Sequence, residues 1–199
     1  MSERTMKAAR MHLGDGNRTL SIDEVPVPEP DKGEVLVKVK AAGVCLSDVH
    51  LLSGDLTPPH LKNDVVTLGH ETAGIIDKVG EGVTGYHEGD RVVLRSGYRD
   101  ENGDVFGHGI DFDGGWAEYV VTKESTLVAL PESVPFEVAA IIPDAVSTPW
   151  SAISYTAKVE PGQSVGVWGL GGVGCARGED FAGVGGEPGY CVGYCGEGA

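Results

Sequence analysis

Cys45, His50, His70 and Glu71 are the residues with the most evident chemistry in this 199-residue chain. They lie in two glycine-flanked segments, Gly43-Val-Cys-Leu-Ser-Asp-Val-His50 and Leu68-Gly-His-Glu71. A thiolate, an imidazole and a carboxylate together suit a borderline-soft divalent metal, and zinc accepts that mixture. Three protein ligands with one open position mark a catalytic zinc rather than a structural one. Taken singly, Cys45 reads equally as a small buried hydrophobe and His70 as a hydrogen-bonded core histidine. The pairing of the two segments, with a third acidic site downstream, favours the metal.

The elements that must carry these residues are mostly strands. Glu34-Val-Leu-Val-Lys-Val-Lys40 alternates apolar and polar residues, the period of a half-buried strand. Residues 74–80, 90–94 and 116–121 read the same way, and Pro26-Val-Pro-Glu-Pro30 is a stiff extended connector. A short helix over Ser47–Ser53 would carry His50. Past Pro131 the pattern turns helical, with helices predicted over Pro135–Ile142 and Thr148–Ala157. A turn at Pro161-Gly162 leads to a strand over Ser164–Trp168. That strand runs into Gly169-Leu-Gly-Gly-Val-Gly174, a Gly-x-Gly-x-x-Gly sequence at the place where a dinucleotide-binding loop begins.

Composition narrows the function. Hydrophobic content of 41% and charged content of 23% are ordinary for a globular protein. A net charge of −15 argues against nucleic acid and anionic membranes as partners, since both repel an acidic surface. No apolar run approaches the roughly 20 residues that span a bilayer. The N-terminus lacks the apolar core of a signal peptide, so a cytoplasmic location is expected. Four cysteines at this length make no disulfide framework, and Cys175, Cys191 and Cys195 crowd the last 25 residues.

The two metal-binding segments do not stand alone. With Gly89-Asp-Arg-Val-Val93, Gly114-Gly-Trp-Ala-Glu-Tyr-Val120 and Gly169–Gly174, they fall in one order and spacing that resembles the zinc-dependent medium-chain alcohol dehydrogenases. The resemblance runs from about residue 6 to residue 174. It implies a mainly β GroES-like catalytic domain over residues 1–148, followed by an incomplete α/β Rossmann domain beginning at 149–174. Residues 175–199 are left as an aberrant Gly-rich tail, expected to be disordered.

The resemblance also assigns roles. One catalytic zinc would sit on Cys45, His70 and Asp144, with Glu71 beside the metal as a supporting carboxylate or transient fourth ligand. Thr148 would touch the nicotinamide, and Ser47 and then His50 would carry the released proton to water. Gly169, Gly171, Gly172, Val173 and Gly174 would receive the pyrophosphate of NAD or NADP. Other readings stay open: Glu71 as a surface acid, Asp144 as the N-cap of a helix near Thr148, and His50 as a solvent-exposed helix residue. The stretch Arg95–Gly109 holds no cysteine where relatives carry a second, structural zinc, so none is expected. His108 with its neighbouring acids reads as a solvated loop, a Ca²⁺ or adventitious metal site being the other reading. His12, His60 and His87 read as surface residues without partners.

The implied activity is the reversible oxidation of an alcohol to an aldehyde or ketone with NAD(P), the small-molecule substrate being the one partner. The family is homo-oligomeric, and this chain lacks the region of its usual interface. Eight of the last 25 residues are Gly, with Pro188-Gly189 among them, where the fold needs a long helix. Each interior Gly costs a helix roughly 1 kcal/mol and Pro about 3. A reading-frame error after Gly174 accounts for this, because permitted codons read one nucleotide later encode helix formers followed by an apolar strand. A genuinely short protein with a Gly-rich tail is the alternative. If the tail is genuine, little or no dehydrogenase turnover is expected, because the cofactor domain is cut short. The competing functions are a non-catalytic zinc-binding remnant and a zinc-free quinone or enoyl reductase-like member.

Overall fold

A computed structural model describes residues 4–14, 17–61, 63–160, 163 and 165–166. Two compact units divide the chain, Met1–Pro143 and Asp144–Ala199.

The first unit is mostly β. Strands β1 (Thr5–Leu13) and β2 (Arg18–Pro26) form a hairpin in continuous register from Thr5 opposite Pro26 to Leu13 opposite Arg18. Strand β4 (Val65–Thr67) adds to the other side of β1, completing a sheet of order β2-β1-β4. A second sheet has the order β10-β6-β5-β3-β9, all antiparallel. Its members are β3 (Glu34–Ala42), β5 (Thr72–Val79), β6 (Arg91–Leu94), β9 (Tyr119–Lys123) and β10 (Leu127–Ala129). This is the mainly β domain that the sequence predicts, with few helices.

Strand β3 departs from simple alternation for a reason visible in the packing. Val35 and Val37 enter a core with Ile76, Val92, Leu94, Val120 and Leu127. Leu36, on the opposite face, is buried as well, against Met6 and Tyr119. The sheet is therefore covered on both sides at its centre, and each such side chain contributes about 1.5–3 kcal/mol of burial. The alternation resumes at Lys38, where the strand reaches solvent. A third cluster, Met11, Leu51, Val66 and Leu68, packs with Trp116 and seats the helix α1 (Leu46–Ser53) on the first sheet.

The stretch expected as a solvated loop is built differently. Strands β7 (Gly97–Arg99) and β8 (Val105–Gly107) form a hairpin whose turn is closed by Asp100, which accepts backbone N–H groups from Asn102 and Asp104 at 2.9 and 2.8 Å. Tyr98 stacks on Phe106 with ring centroids 5.4 Å apart, and the Lys123 ammonium lies 3.6 Å above the Tyr98 ring. His108 is 2% exposed and belongs to the core. One ring nitrogen donates to the carbonyl of Arg95 at 3.1 Å. The other accepts from the Thr122 hydroxyl at 2.7 Å, which meets Thr126 Oγ1 at 2.6 Å. Burial drives the His108 pKa down to about 4, against the weaker upward pull of its backbone hydrogen bonds. Sequence reading missed this because its partners lie 13 and 14 residues away.

The other histidines also have partners. His12 Nε2 lies 2.8 Å from Asp23 across the β1–β2 hairpin, and the His60 ring lies 4.5 Å from Phe106. His87 is exposed, as expected, with Asp90 3.8 Å away.

After β10, helix α2 (Phe136–Ala139) is shorter than the predicted Pro135–Ile142. A wide helical turn over Ile142–Val146 begins in the first unit, has its last three residues in the second, and runs into α3 (Ser147–Ser151). A second wide turn, Ala152–Thr156, completes the segment predicted as a helix over Thr148–Ala157. Gly169–Gly174, the cofactor residues among them, and the tail 175–199 lie outside the described residues, as does most of the strand predicted over Ser164–Trp168.

Candidate metal centre

Cys45 occupies the N-cap position of α1, and the helix is seated there by Asp48. The Asp48 carboxylate accepts the Cys45 backbone N–H at 2.9 Å, the reciprocal half of a capping box with an acid at its third helical position. Leu51, three residues on, is fully buried, and so fixes which side of the helix faces inward. That leaves Cys45 and Ser47 half-buried at the near end and His50 exposed.

His70 follows Gly69, whose φ of +97° is a conformation that L side chains rarely adopt. This turn directs the His70 ring inward, where it is 5% exposed. Its Nδ1 lies 3.5 Å from Asp48 Oδ1 and its Nε2 lies 3.4 Å from Ser47 Oγ. The Asp48 carboxylate thus favours the proton on Nδ1 and leaves the Nε2 lone pair on the side of Cys45 and Ser47. Ligand atoms of Cys45 and His70 lie within 4.8 Å of one another. Two ligands of one tetrahedral zinc, at about 2.3 and 2.0 Å from the metal, stand about 3.5 Å apart, so a small side-chain rotation brings this pair onto one ion.

Glu71 is 2% exposed, which overturns its reading as a surface acid. Gly43 makes room for it: a Cβ there would overlap the Glu71 carboxylate. Gly43 N–H also donates to the Glu71 carbonyl at 2.8 Å. In the second unit, Asp144 Oδ1 accepts the Thr148 hydroxyl at 2.7 Å, and Thr148 is exposed. Val146, not Asp144, precedes α3 as its N-cap.

His50 sits at the surface with Nδ1 3.5 Å from Asp55 Oδ2. The Asp55 carboxyl is held below the usual carboxylate range, first by the Ser53 hydroxyl and then by His50. An imidazole open to water beside an ionised carboxylate is compatible both with proton transfer and with a simple exposed helix residue.

The sequence model of the alcohol dehydrogenase GroES-like domain matches residues 31–132, which hold Cys45, His70 and the whole five-stranded sheet. The chain belongs to this family. Among the relatives of the alcohol dehydrogenase GroES-like domain family, alcohol dehydrogenase B of Mycobacterium tuberculosis is 32% identical over 86% of this chain and 54% of its own length. The alcohol dehydrogenase of Geobacillus stearothermophilus is 35% identical over 79% of this chain and 50% of its own. Among solved structures, a cobalt- and zinc-bound thermostable alcohol dehydrogenase from Pyrobaculum aerophilum matches with a TM-score of 0.81 and 29% identity, over 96% of this chain and 59% of that one. Acetophenone reductase from Geotrichum candidum, in complex with NAD, matches with a TM-score of 0.82 and 28% identity over 98% and 59%. The chain spans about half the length of the curated relatives it matches. Among the described residues, no helix is long and apolar enough to cross a membrane.

Proposed function

We propose that residues 1–148 are the zinc-holding catalytic domain of an alcohol dehydrogenase, which oxidises an alcohol reversibly to an aldehyde or ketone with NAD or NADP. The observation that carries the reading is the Cys45–His70 pair, a thiol and an imidazole within 4.8 Å on two segments pinned by the same carboxylate, Asp48. Asp144 supplies the third ligand, a carboxylate oxygen being acceptable to zinc. It follows Pro143, the last residue of the first unit, whose carbonyl accepts the Ser96 hydroxyl at 2.9 Å. One catalytic zinc and no structural zinc are proposed, because the β7–β8 hairpin is organised by aromatic packing.

Bound at these residues, zinc acts as a Lewis acid that lowers the pKa of an alcohol hydroxyl. Asp48 orients His70, and the buried Glu71 would stand beside the metal as a supporting carboxylate or transient fourth ligand. Ser47 Oγ, beside His70 Nε2, would take up the released proton, and His50, exposed beside Asp55, would pass it to water. Val44, Leu46 and Val49 are exposed around Cys45 and offer apolar surface to the carbon skeleton of the substrate. Thr148 contacts the nicotinamide, and the glycines of 169–174 hold the cofactor pyrophosphate.

Two measurements test this. The purified chain is expected to hold one zinc, lost in Cys45→Ser and weakened in Asp144→Ala. With cobalt in place of zinc, added alcohol is expected to shift the visible bands. A chain that takes up no metal, or a cobalt spectrum indifferent to alcohol, overturns the reading.

A further inference from the structure

The two ligand-bearing segments are far apart in the chain, and something must hold them in register. Trp116 touches both. Its indole Nε1–H donates to the Gly43 carbonyl at 2.8 Å, two residues before Cys45. Its ring lies over Gly69, one residue before His70, so closely that a Cβ at Gly69 would overlap the indole.

The backbone around Trp116 is fixed independently. Trp116 N–H donates to the Leu68 carbonyl at 2.9 Å and Gly115 N–H to the Gly69 carbonyl at 2.7 Å. The Trp116 carbonyl accepts Ala9 N–H from β1 at 2.7 Å. Segment 114–116 is therefore laced to the His70 segment by backbone bonds. The Cys45 segment leaves the β3–β5 ladder after Ala42 opposite Thr72, and Gly43 N–H still donates to the Glu71 carbonyl at 2.8 Å. Beyond that bond the indole N–H takes over, holding the Gly43 carbonyl on the side that leads to Cys45.

We propose that Trp116 is a positioning residue for the metal centre: its indole N–H fixes the turn by which the chain leaves Gly43 for Cys45, and with it the placing of the thiolate against His70. This rests on the proposed reading of Cys45 and His70 as zinc ligands. Removing the N–H leaves Gly69 covered and the fold intact but loosens the separation of thiolate and imidazole. Groups that orient metal ligands from outside the coordination sphere typically govern about 10–100-fold in metal affinity.

The test uses the full chain, loaded with Co²⁺ so that the Cys45 thiolate gives a charge-transfer band. Wild type is expected to bind one Co²⁺, with the band absent in Cys45→Ser; a wild type that binds none sinks the zinc reading itself. Trp116→Phe keeps the ring and drops the donor. It should melt, metal-free, with the wild type while binding Co²⁺ at least tenfold more weakly. Trp116→His, which restores a ring N–H, should recover part of that affinity. Equal affinity for wild type and W116F overturns the proposal.

A second measurement needs no variant and covers the case in which W116F fails to fold. The Trp116 indole N–H should exchange with solvent more slowly once zinc is bound, because metal and hydrogen bond hold the same gap. Exchange unaffected by zinc overturns the proposal.

Discussion

Acidifying the metal-free chain should destabilise it through one buried residue, His108. In the folded protein this imidazole is buried with its pKa lowered from 6.5 to about 4. In the unfolded chain it returns to its ordinary value. Between those two pH values the unfolded chain binds a proton that the folded chain refuses, so stability falls as pH falls through that window. Above it the histidine is neutral in both states; below it, protonated in both, and the loss is complete. A difference of about 2.5 units at about 1.4 kcal/mol per unit gives a full loss of about 3.5 kcal/mol, of which about 3 falls above pH 4. Domains of this size have about 5–15 kcal/mol in hand, so the effect is large. The variant His108→Gln removes the titration and keeps a polar side chain for Arg95 and Thr122. Urea unfolding of both proteins, stripped of metal and followed from pH 6.5 to about 4, reads the difference. The wild type should lose about 3 kcal/mol more than the variant over that range. Parallel curves refute the argument, and so does a His108 proton resonance that titrates near the ordinary histidine value.

Three further outcomes follow from the packing. Leu94→Ala, at a core position 1% exposed, should cost about 2–5 kcal/mol in urea unfolding with an unchanged denaturant slope. Gly43→Ala drives a methyl into the Glu71 carboxylate and should cost about 1–3 kcal/mol, read as a lowered melting temperature of the metal-free chain. Asp48→Asn should weaken zinc binding about 10–100-fold, measured by competition with a coloured chelator, since the carboxylate then no longer orients His70.

The sequence exposed what is local. The alternation of residues 34–40 marks β3, and β5, β6 and α1 fall within a residue or two of the elements expected at 74–80, 90–94 and 47–53. Residues 116–121 were displaced to Tyr119–Lys123, because Ala117 leaves the five-stranded sheet to bridge Ala8. Cys45 and His70 stood out as candidate ligands through their own types and glycine neighbours, and the structure brings their ligand atoms within 4.8 Å of each other. What stayed hidden depends on distant pairing. Nothing near His108 announces Thr122, and nothing near Trp116 announces Gly43, 73 residues away. Past residue 135 the helical pattern was right in kind, but Pro143 and Pro149 each remove a backbone donor, and the chain takes wide turns at Ile142–Val146 and Ala152–Thr156 in place of continuous helix.

The lacing of Trp116 to Ala9, Gly43 and Leu68 also dictates an order of events in folding. Four stretches of chain spread over more than a hundred residues must meet before these bonds can all form. Such remote pairings form late and slowly, since closing long loops costs entropy that no local contact returns. A metal taken up at the proposed site would therefore meet segments already assembled: it should leave the refolding rate almost untouched and slow unfolding instead, locking the protein after assembly.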